Sequence, residues 1–129
     1  MAGLGWIVQL VHYPLFESVG SERFVEYHRR HSERITPIVL PAMSIELITA
    51  GLLLFSRPSG TAMALVVAGF LLAASTWLAT ALLAVPRHAE LGSGFDAPAH
   101  RRLVRSSWVR TIAWSAHGVV VALLLAQAA

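Results

Sequence analysis

The sequence predicts an all-α integral membrane protein, a bundle of four transmembrane helices with an additional amphipathic helix on the cytoplasmic side. Three observations carry that expectation. Hydrophobic residues make up 56% of the 129 residues and charged residues only 13%, about half the charged share usual in a soluble domain. A chain this short buries too small a fraction of its surface to hide that much apolar area from water. Four apolar stretches separated by polar connections then account for about two thirds of the length.

The first stretch covers about residues 2–17, and its apolar run of roughly 15 residues falls short of the ~20 that cross a hydrocarbon core. It lacks a basic start and a small-residue cleavage site, so it reads as a truncated, tilted or mismatched span, or as one whose start lies upstream of Met1. The second, third and fourth stretches, about 35–55, 61–85 and 107–128, are each long enough. The whole chain forms one membrane domain.

The connection Ser56-Arg57-Pro58-Ser59-Gly60 is rich in breakers and predicts a tight antiparallel hairpin. The two long connections carry Arg23, Arg29, Arg30, Arg34, Arg87, Arg101, Arg102 and Arg105, against Arg57 alone in the short turn. That asymmetry places the long connections in the cytoplasm of a bacterial inner membrane, with both termini outside. A pI near 10.6 invites a nucleic-acid reading, but the arginines sit at span ends, interleaved with Glu22, Glu26, Glu33, Glu90 and Asp96. They read as topology signals, and no nucleic-acid partner is expected. The chain has no cysteine, which excludes thiol exchange, thiolate metal sites and cysteine nucleophiles.

Within the connections, Ser21 is positioned to cap a helix over 21–35 with Glu22 in its first turn. On it Phe24, His28, His31 and Ile35 share one face, as on an interfacial amphipathic helix. A break at Thr36-Pro37 would let that face fold back on the bundle. Asp96 predicts a second cap, with Pro98 early in a helix that runs into span four. His100, among arginines, reads as a solvated loop residue.

Polar groups in hydrocarbon need a partner or a purpose. Gln9, His12 and Tyr13 lie in span one, Ser44, Glu46 and Thr49 in span two, Thr76 and Thr80 in span three. Arg110, Trp114 and His117 share a face of span four. Counted inward at 1.5 Å per residue, His12, Glu46, Thr76, Thr80, Arg110 and His117 lie within roughly 15 Å of the cytoplasmic end. Ser44, Thr76 and Thr80 can bond their own helix backbone, and Gln9 can link two helices. Glu46 needs a cation to remain ionised: either Arg110, as a purely structural pair, or a metal.

His12, His28, His31, Glu46 and His88 together form an imidazole–carboxylate ligand set, enough for one full site or a sparse two-metal site. Iron or copper fits it best, with zinc or manganese as further candidates. An open site beside lipid suits a metal-dependent oxidoreductase acting on an apolar or amphipathic small molecule. In that scheme Arg110 orients an anionic head group or stabilises developing charge, and His117 or Tyr13 moves protons. Three other readings compete. His12 and His117 could be axial ligands of a haem in an electron carrier. Glu46, His12 and His117 could form a proton or metal relay in a transporter. The chain could also be an accessory subunit. Small residues at Ala68-Gly69 and Ala73-Ala74 allow homo-oligomeric helix contacts.

The order Val11-His12-Tyr13-Pro14-Leu15-Phe16, Tyr27-His28-Arg29-Arg30-His31, Pro41-Ala42-Met43-Ser44-Ile45-Glu46, Trp77 with Thr80, Pro86-Arg87-His88 and Trp108 through Trp114 resembles the small four-span bacterial membrane proteins of the anthrone-oxygenase-like group. The resemblance spans the whole chain in layout. It implies a four-helix bundle and brings oxygen chemistry into view.

Overall fold

The computed structural model describes all residues, 1–129, and is helical throughout without strands. A short helix α1 (Ala2–Ile7) continues into a π turn, Val8–His12, and then a 3₁₀ turn, Pro14–Ser18. Helix α2 runs Ser21–Phe55 and α3 runs Met63–Ala79. A second π turn, Thr80–Ala84, leads from α3 into α4 (Val85–Leu91), and α5 spans Ala97–Ala128.

Three helical runs are long and apolar enough to cross a membrane: Ser21–Phe55, Met63–Leu91 and Ala97–Ala128. Their outward faces carry large apolar side chains such as Ile45, Phe55, Leu82 and Leu125, all more than 60% exposed, as a lipid-covered surface requires. The first stretch stays helical only from Ala2 to His12 before its 3₁₀ turn. It lies antiparallel on α5: Trp6 Nε1 donates to Ser115 Oγ (3.1 Å), Gln9 Nε2 donates to the Val104 carbonyl (3.1 Å), and the Trp6 and Trp108 rings meet edge to face. Gly5 allows the close approach, since a Cβ there would stand 3.0 Å from the Trp114 ring. With Trp6 level with Ser115, α1 covers α5 only on the Ala97 side of the bundle.

Helix α2 is one unbroken helix through Pro37 and Pro41, which corrects the expected break at Thr36-Pro37 and the separate 21–35 helix. Each proline removes one backbone bond, and the carbonyl freed by Pro37 is that of Glu33, beside Arg34, where water is close. At 1.5 Å per residue 35 residues extend over about 52 Å, far beyond a ~30 Å hydrocarbon core. Apart from Glu46, its charged residues, Glu22 through Arg34, all precede Ile35, and the apolar part from Ile35 to Phe55 is long enough by itself to cross a core of that thickness. Helix α5 likewise carries Arg101, Arg102 and Arg105 in its first turns. The expected Ser21 cap is absent, Gly20 standing at the N-cap without a side-chain bond. Asp96 does cap α5, accepting from the Ala99 N–H at 2.9 Å. The short turn forms as expected, with Gly60 at φ 87° and Gln127 Oε1 accepting from the Ala62 N–H.

The charged ends of α2 and α5, the Pro14–Ser18 turn and α4 form a packed head. Its apolar core is Tyr13, Phe16, Phe24, Leu91, Ala99 and Leu103, each at most 3% exposed. Phe16 stands at the centre, with ring centroids 5.3–6.1 Å from those of His12, Tyr13, Phe24, Tyr27, His28, His31 and His100. Ion pairs tie the rim: Arg29 joins Glu26 and Glu33, Arg30 joins Glu26, and Glu90 holds both Arg87 and Arg102, linking α4 to α5.

Replacing Phe16 with Ala should cost about 3–5 kcal/mol and loosen the histidine rings around it. Thermal melting of the detergent-solubilised variant beside Leu82→Ala, a lipid-facing control expected to change little, checks this.

A four-histidine cluster at the head of a bilayer-facing cavity

His28 and His31 sit one turn apart on the buried face of α2, His12 closes the first π turn, and His88 lies on α4. The head draws all four together. His12 Nε2 is 2.7 Å from His31 Nδ1, and His28 Nε2 is 3.0 Å from His88 Nδ1. The two pairs adjoin, the His31 and His88 rings lying 5.7 Å apart and nearly parallel. Tyr13 Oη is 3.0 Å from His88 Nε2, and Arg110 donates to Tyr13 Oη at 3.1 Å and to Ser107 Oγ at 3.4 Å.

These contacts form one chain: Arg110, Tyr13, His88, His28. Arginine can only donate. If Tyr13 donates its proton onward, His88 accepts at Nε2 and donates from Nδ1, leaving His28 to accept at Nε2. The imidazoles outside the spans are held neutral. Burial, and then the neighbouring His12 and His28 rings, push His31 down to about 4. Burial, followed by His28, His31 and Arg110, pushes His88 down to about 3. Burial also lowers His28. A neutral imidazole keeps the one lone pair with which it would bind a metal; with the chain running from Tyr13, those of His88 and His28 accept hydrogen bonds.

Four of the five expected ligands thus converge, and Glu46 does not join them. Its carboxylate lies in span two, accepting from Trp114 Nε1 at 3.0 Å and standing 3.0 Å from His117 Nδ1. The expected Glu46–Arg110 pair is not formed: the α5 face carrying Arg110, Trp114 and His117 is divided, with the latter two serving Glu46. Arg110 instead lies over the Trp114 ring, 5.8 Å from its centroid. His12 and His117 have different partners, His31 and Glu46. No three histidine or carboxylate groups point at a common centre; the imidazoles are arranged as two adjoining pairs.

The remaining polar residues behave as their chemistry predicts. Ser44, Thr49, Thr76 and Thr80 hydroxyls bond carbonyls of their own helices. His100 departs from expectation: it is 1% exposed, not solvated. Its Nε2 lies 2.7 Å from the Tyr13 carbonyl, and Nδ1 is 3.1 Å from Glu17 Oε1 but off hydrogen-bonding direction. It fastens the Pro14–Ser18 turn to α5. The one hint in the sequence is its place four residues after Asp96, in the first turns of a capped helix.

Both π turns immediately precede a proline kink point, Pro14 or Pro86. A wider turn relieves the clash between a proline ring and the carbonyl four residues back. The turns also line a cavity of about 270 Å³, near the lower end of the ~300–1,000 Å³ usual for ligand pockets. Val8 comes from the first turn, Thr80 and Ala84 from the second, and Ile35 and Val39 from α2. His31, His88, Tyr13 and Arg110 form its polar end, with Trp114 beside them. A second cavity between α1 and α2 shares Leu4, Val8, His31 and Ile35 with it and is lined as well by Tyr27, Arg30 and Arg34, so the gap between those helices reaches the histidines from the arginine-bearing end of α2.

No known protein family, curated protein or solved structure matches this chain.

An unfolded histidine takes up its proton near 6.5, whereas His31 and His88 in the fold resist to about 4 and 3. Acid therefore favours the unfolded chain. The stability held above pH 6.5 should drain away as pH falls toward 4, and metal-free protein should melt at progressively lower temperature over that interval. Melting curves of wild type and His31→Gln from pH 7.5 to 4.5 check this, the variant showing a shallower slope.

Proposed function

We propose that this protein is a membrane-embedded, metal-dependent oxidoreductase that acts on an apolar or amphipathic small molecule. The observation that carries the reading is the convergence of four neutral imidazoles at the polar end of an apolar cavity. Such a cluster is costly to assemble in a small domain. Packing does not require it, since Phe or Leu would fill the same space.

The donor set fits a transition metal. The histidines stand as two adjoining nitrogen pairs, at 2.7 and 3.0 Å, and a metal would take the place of the hydrogen bonds within those pairs. His12 with His31, and His28 with His88, would hold it, and all-nitrogen ligation favours iron, copper or zinc over manganese. When bound, the metal would supply the electron-transfer chemistry; the resemblance to the anthrone-oxygenase-like group favours oxygen as the oxidant. Tyr13, hydrogen-bonded to His88, is placed to give or take a proton at the cavity wall. Ile35, Val39 and Val8 keep water from the apolar part of a substrate. His117 is tied to Glu46, so its part is to keep that carboxylate paired rather than to serve the cluster.

A four-span arrangement in the cytoplasmic membrane belongs to the same reading, α1 being the short fourth element and the histidine head facing the cytoplasm. The count of arginines in the long connections supports it. A second functional reading, a proton relay, draws on the continuous Arg110–Tyr13–His88–His28 chain, but the outer half of the bundle supplies no continuing polar path.

Elemental analysis after purification in mild detergent without chelators should find iron or copper near stoichiometry; zinc alone, which has no redox chemistry, would overturn the oxidoreductase. His31→Ala and His88→Ala should lose the bound metal, whereas Glu46→Gln, remote from the cluster, should keep it. A metal-free wild type, or retention by both histidine variants, would falsify the reading. Because the chain has no cysteine, topology is testable with single substitutions: in intact cells an impermeant maleimide should label Ser59→Cys and spare Ser93→Cys.

A further inference from the structure

Arg110 is 92% buried by side chains and neighbouring helices, yet no carboxylate pairs with it. Its two hydrogen bonds go to neutral hydroxyls, of Tyr13 and Ser107. The one acidic residue in the spans, Glu46, is committed to Trp114 and His117. A buried cation without a counter-charge is among the most expensive features a membrane protein can carry. Nothing in the packing demands it, since a methionine would span the same distance beside Trp114. The guanidinium lines the cavity of about 270 Å³, whose other walls are mostly apolar.

We propose that the missing counter-charge is the ligand's own: the cavity takes an amphipathic carboxylate, with its head on Arg110 and its apolar body along the wall formed by Val8, Ile35, Val39 and Leu40. Three features favour a carboxylate over a phosphate monoester. The site offers one cation rather than several. A guanidinium matches the planar fork of a carboxylate. The adjoining imidazoles are neutral and add no positive charge. Tyr13 Oη, within reach of the same head, supplies a neutral donor. The Trp114 face continues the wall toward the apolar end, which suits a body of ring or chain carbon. The proposal deepens the functional reading above by naming a substrate class. It rests on that reading only for the chemistry that follows binding, because the seat itself needs no metal.

The test uses metal-free protein in nanodiscs of zwitterionic phosphatidylcholine, with decanoate and 1-decanol as probes in equilibrium dialysis. Decanoate should saturate at one per chain, and decanol should bind about tenfold more weakly or worse, the scale of one charge-assisted hydrogen bond. Arg110→Met should erase the difference between the probes, and Arg110→Lys should retain part of it. Ala84→Phe, which fills the cavity and leaves Arg110 in place, should lose decanoate, so the proposal stays testable if Arg110→Met does not fold. Equal binding of the two probes to wild type, or a decanoate preference that survives in Arg110→Met or Ala84→Phe, overturns it. So does native mass spectrometry showing a phospholipid held one per chain by wild type and released by Arg110→Met, because the seat would then belong to a membrane phosphate. Metal content measured on separate, unstripped samples decides the metal reading independently: decanoate selectivity in a protein that never binds metal supports the seat and sinks the oxidoreductase, and the converse pair of results does the opposite.

Discussion

The packing of Phe16 against imidazole rings is the contact on which the rest of this molecule depends. Inside a bilayer, burial of apolar surface gives helices little reason to associate, because lipid is as apolar as the helices themselves. Outside it, the hydrophobic effect operates at full strength. The chain has one conventional core, in the head built from the charged ends of α2 and α5. Phe16 has no exposed surface, and it borders His12, His28, His31 and His100 from within that core. One aromatic residue thereby fixes both the fold of the head and the positions of the histidines.

Charge in the span region is separated with equal economy. Glu46 receives a tryptophan N–H and a histidine, while Arg110 receives only hydroxyls and the face of the same tryptophan. Trp114 thus stands between opposite charges that would otherwise neutralise one another. Its indole satisfies the carboxylate at its edge and the guanidinium at its face. A direct pair would have been the cheaper arrangement for folding alone, and the indole spacer keeps the cation available to the cavity.

How much of this was legible in the sequence follows from the range of each interaction. Three apolar runs long enough to cross a membrane, the tight Ser56–Gly60 turn, the Asp96 cap, the Gln9 cross-link and the threonine back-bonds all depend on local pattern or composition, and each appears as read. The convergence of His12, His28, His31 and His88 was legible because each lies at the same depth from a span end. Depth does not give azimuth, and Glu46, assigned to the same set, faces Trp114 and His117 instead. Pro37 looked like a break because proline usually ends a helix in water. Here a helix already held by its neighbours tolerates two. The burial of His100 and the central place of Phe16 depend on contacts across the chain that no periodicity encodes.

The two π turns set the register of everything that follows them. A π turn holds one residue more than the hydrogen-bond ladder of an α-helix requires, and one residue rotates everything downstream by about 100° around the helix axis. Removing one residue from Thr80–Ala84 would carry His88 off the cluster face, and removing one from Val8–His12 would do the same to Tyr13. The cavity wall and the histidine register therefore depend on the same two turns, and a straight-helixed version of this chain would have neither.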